Sequence, residues 1–269
     1  MDASTPTDST PVAAQPATAR FATRLASASG RDLQVEGYWR PVLALVEATS
    51  RGWALTCRIR TADAEARAVA LDSLNAVDRE RVTLAAVRQG VKVLPQADRH
   101  SGGPAPMALI PIPWACAKAE RVRRELLRLG GLARGARQVV PVAEFTDIEP
   151  GAPAAALAEA AAGLRPMFGG VLVRLAGGGS DVPRLMDRGF AGASLEADSL
   201  KLSEERPILV GLAALLKAVG PMPGLHGVNS VATLEAARDA GFAWASLDLT
   251  RGGWHLFNAG LEALRAPRD

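Results

Sequence analysis

Short apolar runs alternate with helical patterns along most of the chain. The apolar runs cover residues 53–59, 107–112, 138–145, 170–175, 191–195 and 243–249. The segments with an apolar residue at every third or fourth position are 78–94, 118–129, 152–164 and 203–219. The second helix is expected to stop at Gly130-Gly131 and the fourth at Gly220, since glycine often ends helices. Strand followed by helix, repeated, predicts βα units and a mostly parallel sheet.

An internal repeat supports this prediction. Residues 187–196 (DRGFAGASLE) match residues 239–248 (DAGFAWASLD), 52 positions further along. Each copy reads as a helix end, a glycine turn and a short buried strand, with Gly189 and Gly241 where a left-handed residue is needed. One βα unit takes about 30 residues, so the copies lie about two units apart, as equivalent strands of a βα barrel would.

Length and composition agree with one barrel domain. The chain has 269 residues, and a βα barrel takes about 250. Hydrophobic residues make up 48% but aromatic residues only 4%, which favours helices packed on a sheet over a β-sandwich. The first 20 residues or so lack any apolar period and predict a disordered tail. Phe21–Ser29 is either a short helix or more linker, so we divide the chain into a tail or linker, 1–30, and a barrel, 31–269.

The overall charge and the cysteines narrow the function. Lys and Arg number 31 against 28 Asp and Glu, a net charge of +3, which is too small to indicate a nucleic-acid partner. Cys57 and Cys116 lie in apolar surroundings and indicate free thiols in a reducing compartment. No apolar run is long enough for a membrane span, and the N-terminus lacks the order of a signal peptide. We therefore expect a cytoplasmic protein, and we expect no cofactor.

Several segments, taken in order, resemble the EAL domain family. Residues 38–42 (YWRPV) are similar to the opening strand of the family, which usually has Gln before the Pro. Residues 51–60 (RGWALTCRIR) stand in the place of the signature Glu-Ala-Leu-x-Arg, and residues 142–147 (VAEFTD) are similar to Leu-Glu-Ile-Thr-Glu. The resemblance runs from about Gly37 to Leu249. It implies a TIM-barrel-like, EAL-type (βα) barrel from a family of bacterial proteins that bind or hydrolyse cyclic di-GMP.

Most of the positions that the resemblance marks as metal ligands or catalytic residues carry other residues here. Glu144 is the one metal-binding carboxylate kept. Arg60 is the retained signature arginine, which the family uses near a ligand phosphate. The replacements are Thr56 for the signature Glu, Arg174-Leu175 for two adjacent Asp, Glu196 for the catalytic Lys, and His226 for a Glu. The glycine-rich turn that follows the paired Asp survives as Gly177, Gly178 and Gly179.

These replacements predict a loss of catalysis. Two-metal hydrolysis of a phosphodiester needs several hard oxygen ligands that converge at the barrel mouth. One glutamate cannot supply them, and Arg174 would put a positive charge where the cations should bind. The sequence therefore predicts no catalytic residue, no metal site and no phosphodiesterase activity.

Three functions stay open. The first is a catalytically inactive EAL-like domain that serves as a regulatory or protein-interaction module in bacterial signalling. The second is a cyclic di-GMP receptor that binds without cleaving, since guanidinium groups suit phosphate oxygens. Its expected ligand-binding residues are Arg60, Glu144, Arg174, Gly177, Gly178, Gly179 and His226. The third is a βα-barrel enzyme of unrelated chemistry, such as a lyase, which would need Glu144, His226 and Asp248 to meet.

A basic stripe gives one candidate surface for a protein partner. Arg121, Arg124 and Arg128 recur at helical spacing, and Lys118 extends the stripe. Such a stripe is either a solvated helix face or a docking surface for an acidic partner. The partner's identity stays open. Since members of the resembled family often pair, a homodimer is a further alternative.

Overall fold

The computed structural model describes residues 19–95, 105–176, 181–199 and 206–267. Within these ranges the chain forms nine strands and eight α-helices. The strands are β1 (Arg20–Ala26), β2 (Asp32–Ala44), β3 (Thr49–Thr61), β4 (Met107–Pro113), β5 (Val140–Thr146), β6 (Gly170–Arg174), β7 (Gly192–Glu196), β8 (Gly224–Val228) and β9 (Trp244–Leu247). The helices are α1 (Ala76–Val93), α2 (Trp114–Ala117), α3 (Glu120–Arg137), α4 (Ala154–Leu164), α5 (Val182–Leu185), α6 (Arg206–Lys217), α7 (Val231–Ala240) and α8 (Leu249–Arg265).

The predicted βα barrel is confirmed. Strands β3 to β9 follow one another in the sheet in chain order, and each neighbouring pair is parallel. The long strand β2 closes the barrel, because it pairs with β3 on one side and with β9 on the other. Both of these pairings are antiparallel, so the eight-stranded barrel is mixed rather than wholly parallel.

Successive side chains of each strand point alternately into the barrel interior and into the layer under the helices. A small apolar cluster fills the interior, with one or two side chains from most of the strands: Val42, Ala54, Met107, Leu109, Val142, Leu172 and Trp244. The intervening strand residues, such as Ala143 and Leu195, pack against the helices in the larger core. Since side chains alternate in direction along a strand, this arrangement fixes which residues point into the barrel mouth.

Part of the segment predicted as tail or linker is a strand. Residues 1–18 lie outside the described part of the chain, but Arg20–Ala26 forms β1 and pairs antiparallel with Asp32–Tyr38 of β2. Phe21–Ser29 is thus neither the helix nor the linker that the sequence suggested. The reason is a period of two, in which Phe21 and Leu25 pack towards α1 while Arg20 and Arg24 are exposed.

The glycine stop predicted at Gly130-Gly131 is also wrong, because α3 continues to Arg137. A Cβ at Gly130 would lie 2.9 Å from the Phe168 ring, so this glycine allows close packing rather than ending the helix. The helix ends at Gln138, which has a left-handed backbone with φ 58°.

The two copies of the repeat end in β7 and β9, which flank β8 and so lie two βα units apart as expected. Gly241 ends α7 with φ 95°, the left-handed conformation predicted for it. None of the helices in the described ranges has the length and apolar character needed to cross a membrane.

Candidate functional site

A polar layer lies directly above the apolar interior of the barrel. Glu144, Arg174 and Ser246 each follow an interior residue of the same strand by two positions, so they point to the same side of the sheet as Val142, Leu172 and Trp244. Because the carboxyl ends of parallel strands meet at one end of a barrel, these polar side chains converge there. We call this end the mouth.

Glu144 is the centre of the mouth. Its side chain is completely buried, and its two oxygens accept hydrogen bonds from three residues. Ser194 Oγ donates to Oε1 at 2.6 Å, and His226 Nε2 lies 2.8 Å from the same oxygen. Arg174 donates to Oε2 from Nε at 3.0 Å and also from Nη2. Burial alone would raise the pKa of Glu144, but the charge of Arg174 and the contact with His226 hold that pKa well below its usual range.

Arg174 is held between two carboxylates. Besides Glu144 it contacts Glu196, with Nη1 donating to Oε1 at 2.7 Å. Burial would lower the pKa of the Arg174 guanidinium, yet Glu144 and Glu196 together raise it above its ordinary value. Arg174 is therefore a fixed positive charge, and its side chain is 24% exposed at the mouth.

The hydrogen-bond pattern assigns the proton of His226 to Nε2. The ionised carboxylate of Glu144 can only accept, so Nε2 of His226 donates to Oε1. Ser246 Oγ accepts from the backbone N–H of Gly227 at 3.3 Å and lies 3.0 Å from His226 Nδ1. The edge contact with the Trp244 ring, at 4.9 Å between centroids, fixes the imidazole plane.

A second arginine, Arg40 of β2, completes the mouth. Its guanidinium lies 4.0 Å from Asp248 Oδ2 and donates to Tyr38 Oη at 3.0 Å. Arg40 was not among the predicted site residues, although its position before Pro41, where the resembled family usually has Gln, was a signal that could have found it.

Gly227 lies between Arg40 and the Arg174–Glu196 pair. A Cβ there would be 3.2 Å from Glu196 Oε2 and 3.8 Å from Arg40 Nη1, and its φ is +73°. The backbone at this point therefore requires glycine if the two charged groups are to lie so close.

A cleft of about 660 Å³ runs from the mouth towards α1. One end is polar and is lined by Arg40, Thr56, Arg174, Glu196 and His226. The other end lies between β3 and α1 and is lined by apolar side chains, among them Leu55, Ile59, Val82 and Val87. A cleft of this volume can hold a small organic ligand.

The structure brings together only some of the predicted ligand-binding residues. Glu144, Arg174 and His226 are in mutual contact. Arg60 is not at the mouth, because it lies on the part of β3 beyond the barrel, 3.7 Å from Glu36 and bonded to the Ala66 carbonyl. Gly177, Gly178 and Gly179 lie outside the described residues.

The enzyme hypothesis required Glu144, His226 and Asp248 to meet. Glu144 and His226 share a hydrogen bond, whereas Asp248 forms an ion pair with Arg40. The described contacts therefore join two of the three side chains, and the third faces an arginine.

The basic stripe, which comprises Lys118 at the end of α2 and three arginines of α3, has its own acidic partners. Lys118 contacts Glu149 at 2.8 Å and Arg121 contacts Glu80 at 2.5 Å. Arg124 lies 3.7 Å from Glu120, and Arg128 is 2.7 Å from Glu125. Each cation of the stripe is thus matched by a carboxylate of the same chain, which weakens its attraction for an acidic partner.

The residues at the mouth do not fit the metal site that the resemblance implies. The oxygens of Glu144 are already bound by Ser194, His226 and Arg174, and Thr56 offers only a neutral oxygen. Nowhere in the described ranges do three His, Cys, Asp or Glu side chains form a group that could hold a metal ion.

Comparison with known proteins connects this fold with EAL domains. No protein-family model and no curated protein matches the sequence. Among solved structures, the chain is similar to the Bacillus subtilis YkuI protein, which has an EAL domain and was solved with cyclic di-GMP and calcium, at a TM-score of 0.59 and 14% identity. That match covers 80% of this chain and 54% of YkuI, so this chain spans about half the length of that protein.

Two further matches cover most of both chains. The EAL domain of Xanthomonas citri FimX, in complex with cyclic di-GMP, gives a TM-score of 0.54 at 14% identity over 80% of this chain and 86% of that one. An EAL domain protein from Listeria monocytogenes gives 0.51 at 15% identity over 78% and 85%. The fold is therefore that of the EAL domains, as the resemblance implied.

Proposed function

We propose that this barrel is a non-catalytic EAL-type domain that acts as a regulatory or protein-interaction module in bacterial signalling, in the cytoplasm. One observation carries the proposal: the buried carboxylate of Glu144, which the resemblance marks as a metal ligand, holds the guanidinium of Arg174. An internal cation thus takes the place that a catalytic metal would need.

The energetics support this assignment. A divalent cation that approached Glu144 would be repelled by Arg174, and it would have to displace Arg174 from a buried partner. Removing one partner from a buried ion pair costs roughly 3–5 kcal/mol, because the remaining charge is left without compensation. The neighbouring carboxylate, Glu196, is likewise engaged by Arg174 at 2.7 Å. Metal binding at this mouth would therefore have to overcome the network that stabilises it.

A turnover assay with a matched variant tests the proposal. Purified protein is incubated with cyclic di-GMP and Mg²⁺ or Mn²⁺, and the linear product is measured by chromatography. The Glu144→Gln variant, purified in the same way, would contain the same contaminating phosphodiesterase and gives the background. We expect the native protein to form no product above this background. Product formation by the native protein that disappears in Glu144→Gln would refute the proposal.

A second candidate is a cyclic di-GMP receptor that binds without hydrolysis. The observation that favours it is the cleft of about 660 Å³ with Arg40 and Arg174 at its polar end. Structures with the same fold contain this ligand. It ranks second because both guanidinium groups already have carboxylate partners, so a phosphate would have to compete with Asp248 and Glu196.

Calorimetry separates the two candidates. A receptor should bind cyclic di-GMP at micromolar concentration and lose affinity in Arg40→Ala, whereas Arg60→Ala should bind normally, since Arg60 lies away from the mouth. The absence of heat with the native protein, or equal effects of the two substitutions, would count against a receptor.

A further inference from the structure

Strand β1 has an open edge. It pairs with β2 on one side, and no other strand in the described part of the chain pairs with it. The Trp39 backbone N–H donates to the Ala19 carbonyl at 3.1 Å, which fixes the direction of the backbone groups. Because hydrogen-bonded pairs alternate in an antiparallel ladder, the N–H and C=O groups of Arg20, Ala22 and Arg24 point away from β2. They are free to pair with another strand.

One face of the sheet beside this edge is basic. The pairing registers place four arginines and two acidic residues on it, a net charge of +2: Arg20 and Arg24 on β1, Asp32 and Glu36 on β2, and Arg58 and Arg60 on β3. Arg60 lies 3.7 Å from Glu36, whereas Arg24 and Arg58 form no ion pair with any residue that the structure describes. We call this surface the arginine face.

The arginine face has a concavity of about 460 Å³. The small side chain of Ala22 forms part of its lining, together with Arg20, Glu36, Tyr38 and Arg58. The guanidinium of Arg20 lies 6.0 Å from the Tyr38 ring centroid, a cation–π contact that orients it without neutralising it. The face therefore offers unpaired positive charge and a recess for a side chain.

We propose that the β1 edge binds an extended acidic segment of a partner protein as an added strand. This inference rests on the proposed role as an interaction module and names the chemistry of the partner. Main-chain hydrogen bonds to Arg20, Ala22 and Arg24 would hold the segment, as in other cases of strand addition. Acidic side chains at alternate positions would lie beside Arg20 and Arg24, and apolar side chains between them would lie on the side of Phe21 and Leu25.

Charge favours this occupant over the alternatives. A second copy of the chain, paired through β1 in a continuous antiparallel sheet, would bring the arginines of both strands onto one face, and like charges oppose such pairing. A nucleic acid has no alternating amides and carbonyls with which to continue the ladder. The basic stripe is a weaker candidate, because each of its cations already contacts a carboxylate.

A labelled peptide that alternates Glu and Val tests the proposal by fluorescence anisotropy. A length of about ten residues lies within the usual range of strands and covers the seven residues of β1. Ala22→Pro removes a backbone N–H that points away from β2, so it blocks strand addition without breaking the β1–β2 ladder. We expect it to weaken binding at least about tenfold, and Arg20→Glu with Arg24→Glu to do the same. Arg124→Glu with Arg128→Glu on α3 makes the same change of charge elsewhere, and this matched control should leave the affinity within about twofold of the native value.

A second peptide is methylated on alternate backbone nitrogens. It keeps the charged side chains but lacks the N–H groups that would donate hydrogen bonds to β1. It should bind at least about tenfold more weakly to the native protein, a result that does not depend on how any variant folds. Equal binding of the two peptides, unchanged binding by Ala22→Pro, or equal competition by an oligothymidine would overturn the proposal. A concentration-dependent dimer that Ala22→Pro abolishes would assign the edge to a second copy instead. The turnover assay is independent, so cyclic di-GMP hydrolysis would refute the proposed function, whereas peptide failure alone would refute only this partner.

Discussion

Replacement of Arg174 by methionine is the sharpest test of the ion-pair network at the mouth. Methionine keeps much of the length of the arginine stem but removes the guanidinium, so Glu144 would keep only Ser194 and His226 as partners. Because Glu144 is completely buried, its charge would then be poorly compensated. Breaking a buried pair costs roughly 3–5 kcal/mol, and we expect a loss of about 3 kcal/mol at pH 7, since Arg174 keeps some exposure.

The pH dependence of this loss gives a second, independent readout. In the native protein the pKa of Glu144 is depressed, so its contribution to stability is present above the pKa of an unfolded glutamate, about 4.3, and decreases as the pH falls below that value. Without Arg174, burial dominates and the pKa of Glu144 rises, so the variant gains relative stability when Glu144 is protonated. The difference in free energy of unfolding between the two proteins should therefore narrow between pH 7 and pH 4.

Urea denaturation, monitored by circular dichroism, measures these free energies of unfolding. Adding Glu144→Gln to the Arg174→Met variant should recover part of the lost stability, because it removes the uncompensated charge. The reasoning is refuted if Arg174→Met stays within about 1 kcal/mol of the native protein at pH 7, the upper range for an exposed ion pair. A loss that is equal at both pH values, or a double variant that loses the sum of the two single losses, would also refute it.

Three further predictions concern single residues. Gly227→Ala should lower the melting temperature, since a left-handed backbone costs roughly 1–2 kcal/mol for a residue with a Cβ and the Cβ would lie 3.2 Å from Glu196; an unchanged melting temperature would contradict this geometry. Ser246→Ala should cost about 1–3 kcal/mol in urea denaturation, because Nδ1 of the buried His226 loses its hydrogen-bond partner; an unchanged free energy of unfolding would contradict a contribution of this hydrogen bond to stability. Burial raises the pKa of Cys57 to about 12, so a thiol reagent at pH 8 should label Cys57 slowly until denaturant is added, and rapid labelling of the native protein would be the contrary result.

The sequence by itself determined the architecture of this protein. Apolar runs, helical periods and the repeat ending in β7 and β9 are local patterns, and local patterns are sufficient to specify βα units. The same reasoning missed β1, because its short alternating pattern follows a segment with the composition of a tail. It also ended α3 at Gly130, where the glycine serves a contact with Phe168 that no local pattern contains.

The candidate site was predicted only in part. The resemblance marked Thr56, Arg174 and His226 as replacements and Glu144 as a retained carboxylate. The sequence did not show which charged side chains meet, because Glu144 and Arg174 are 30 residues apart. Their contact exists only when β5 and β6 pair in one register. The sequence predicted Arg60 as a ligand-binding residue, but the structure places Arg40 at the mouth and Arg60 on the sheet beyond it.

There is a physical reason why the sequence predicts the secondary structure better than the contacts of the site. Secondary structure and burial follow from hydrophobic period, which can be read over a few neighbouring residues. The charge of a site depends on distances of a few ångströms between side chains from different strands, and strand register and barrel closure set those distances. For this chain, the sequence determined a βα barrel, and only the tertiary structure decided that the guanidinium of Arg174 lies against the buried carboxylate of Glu144.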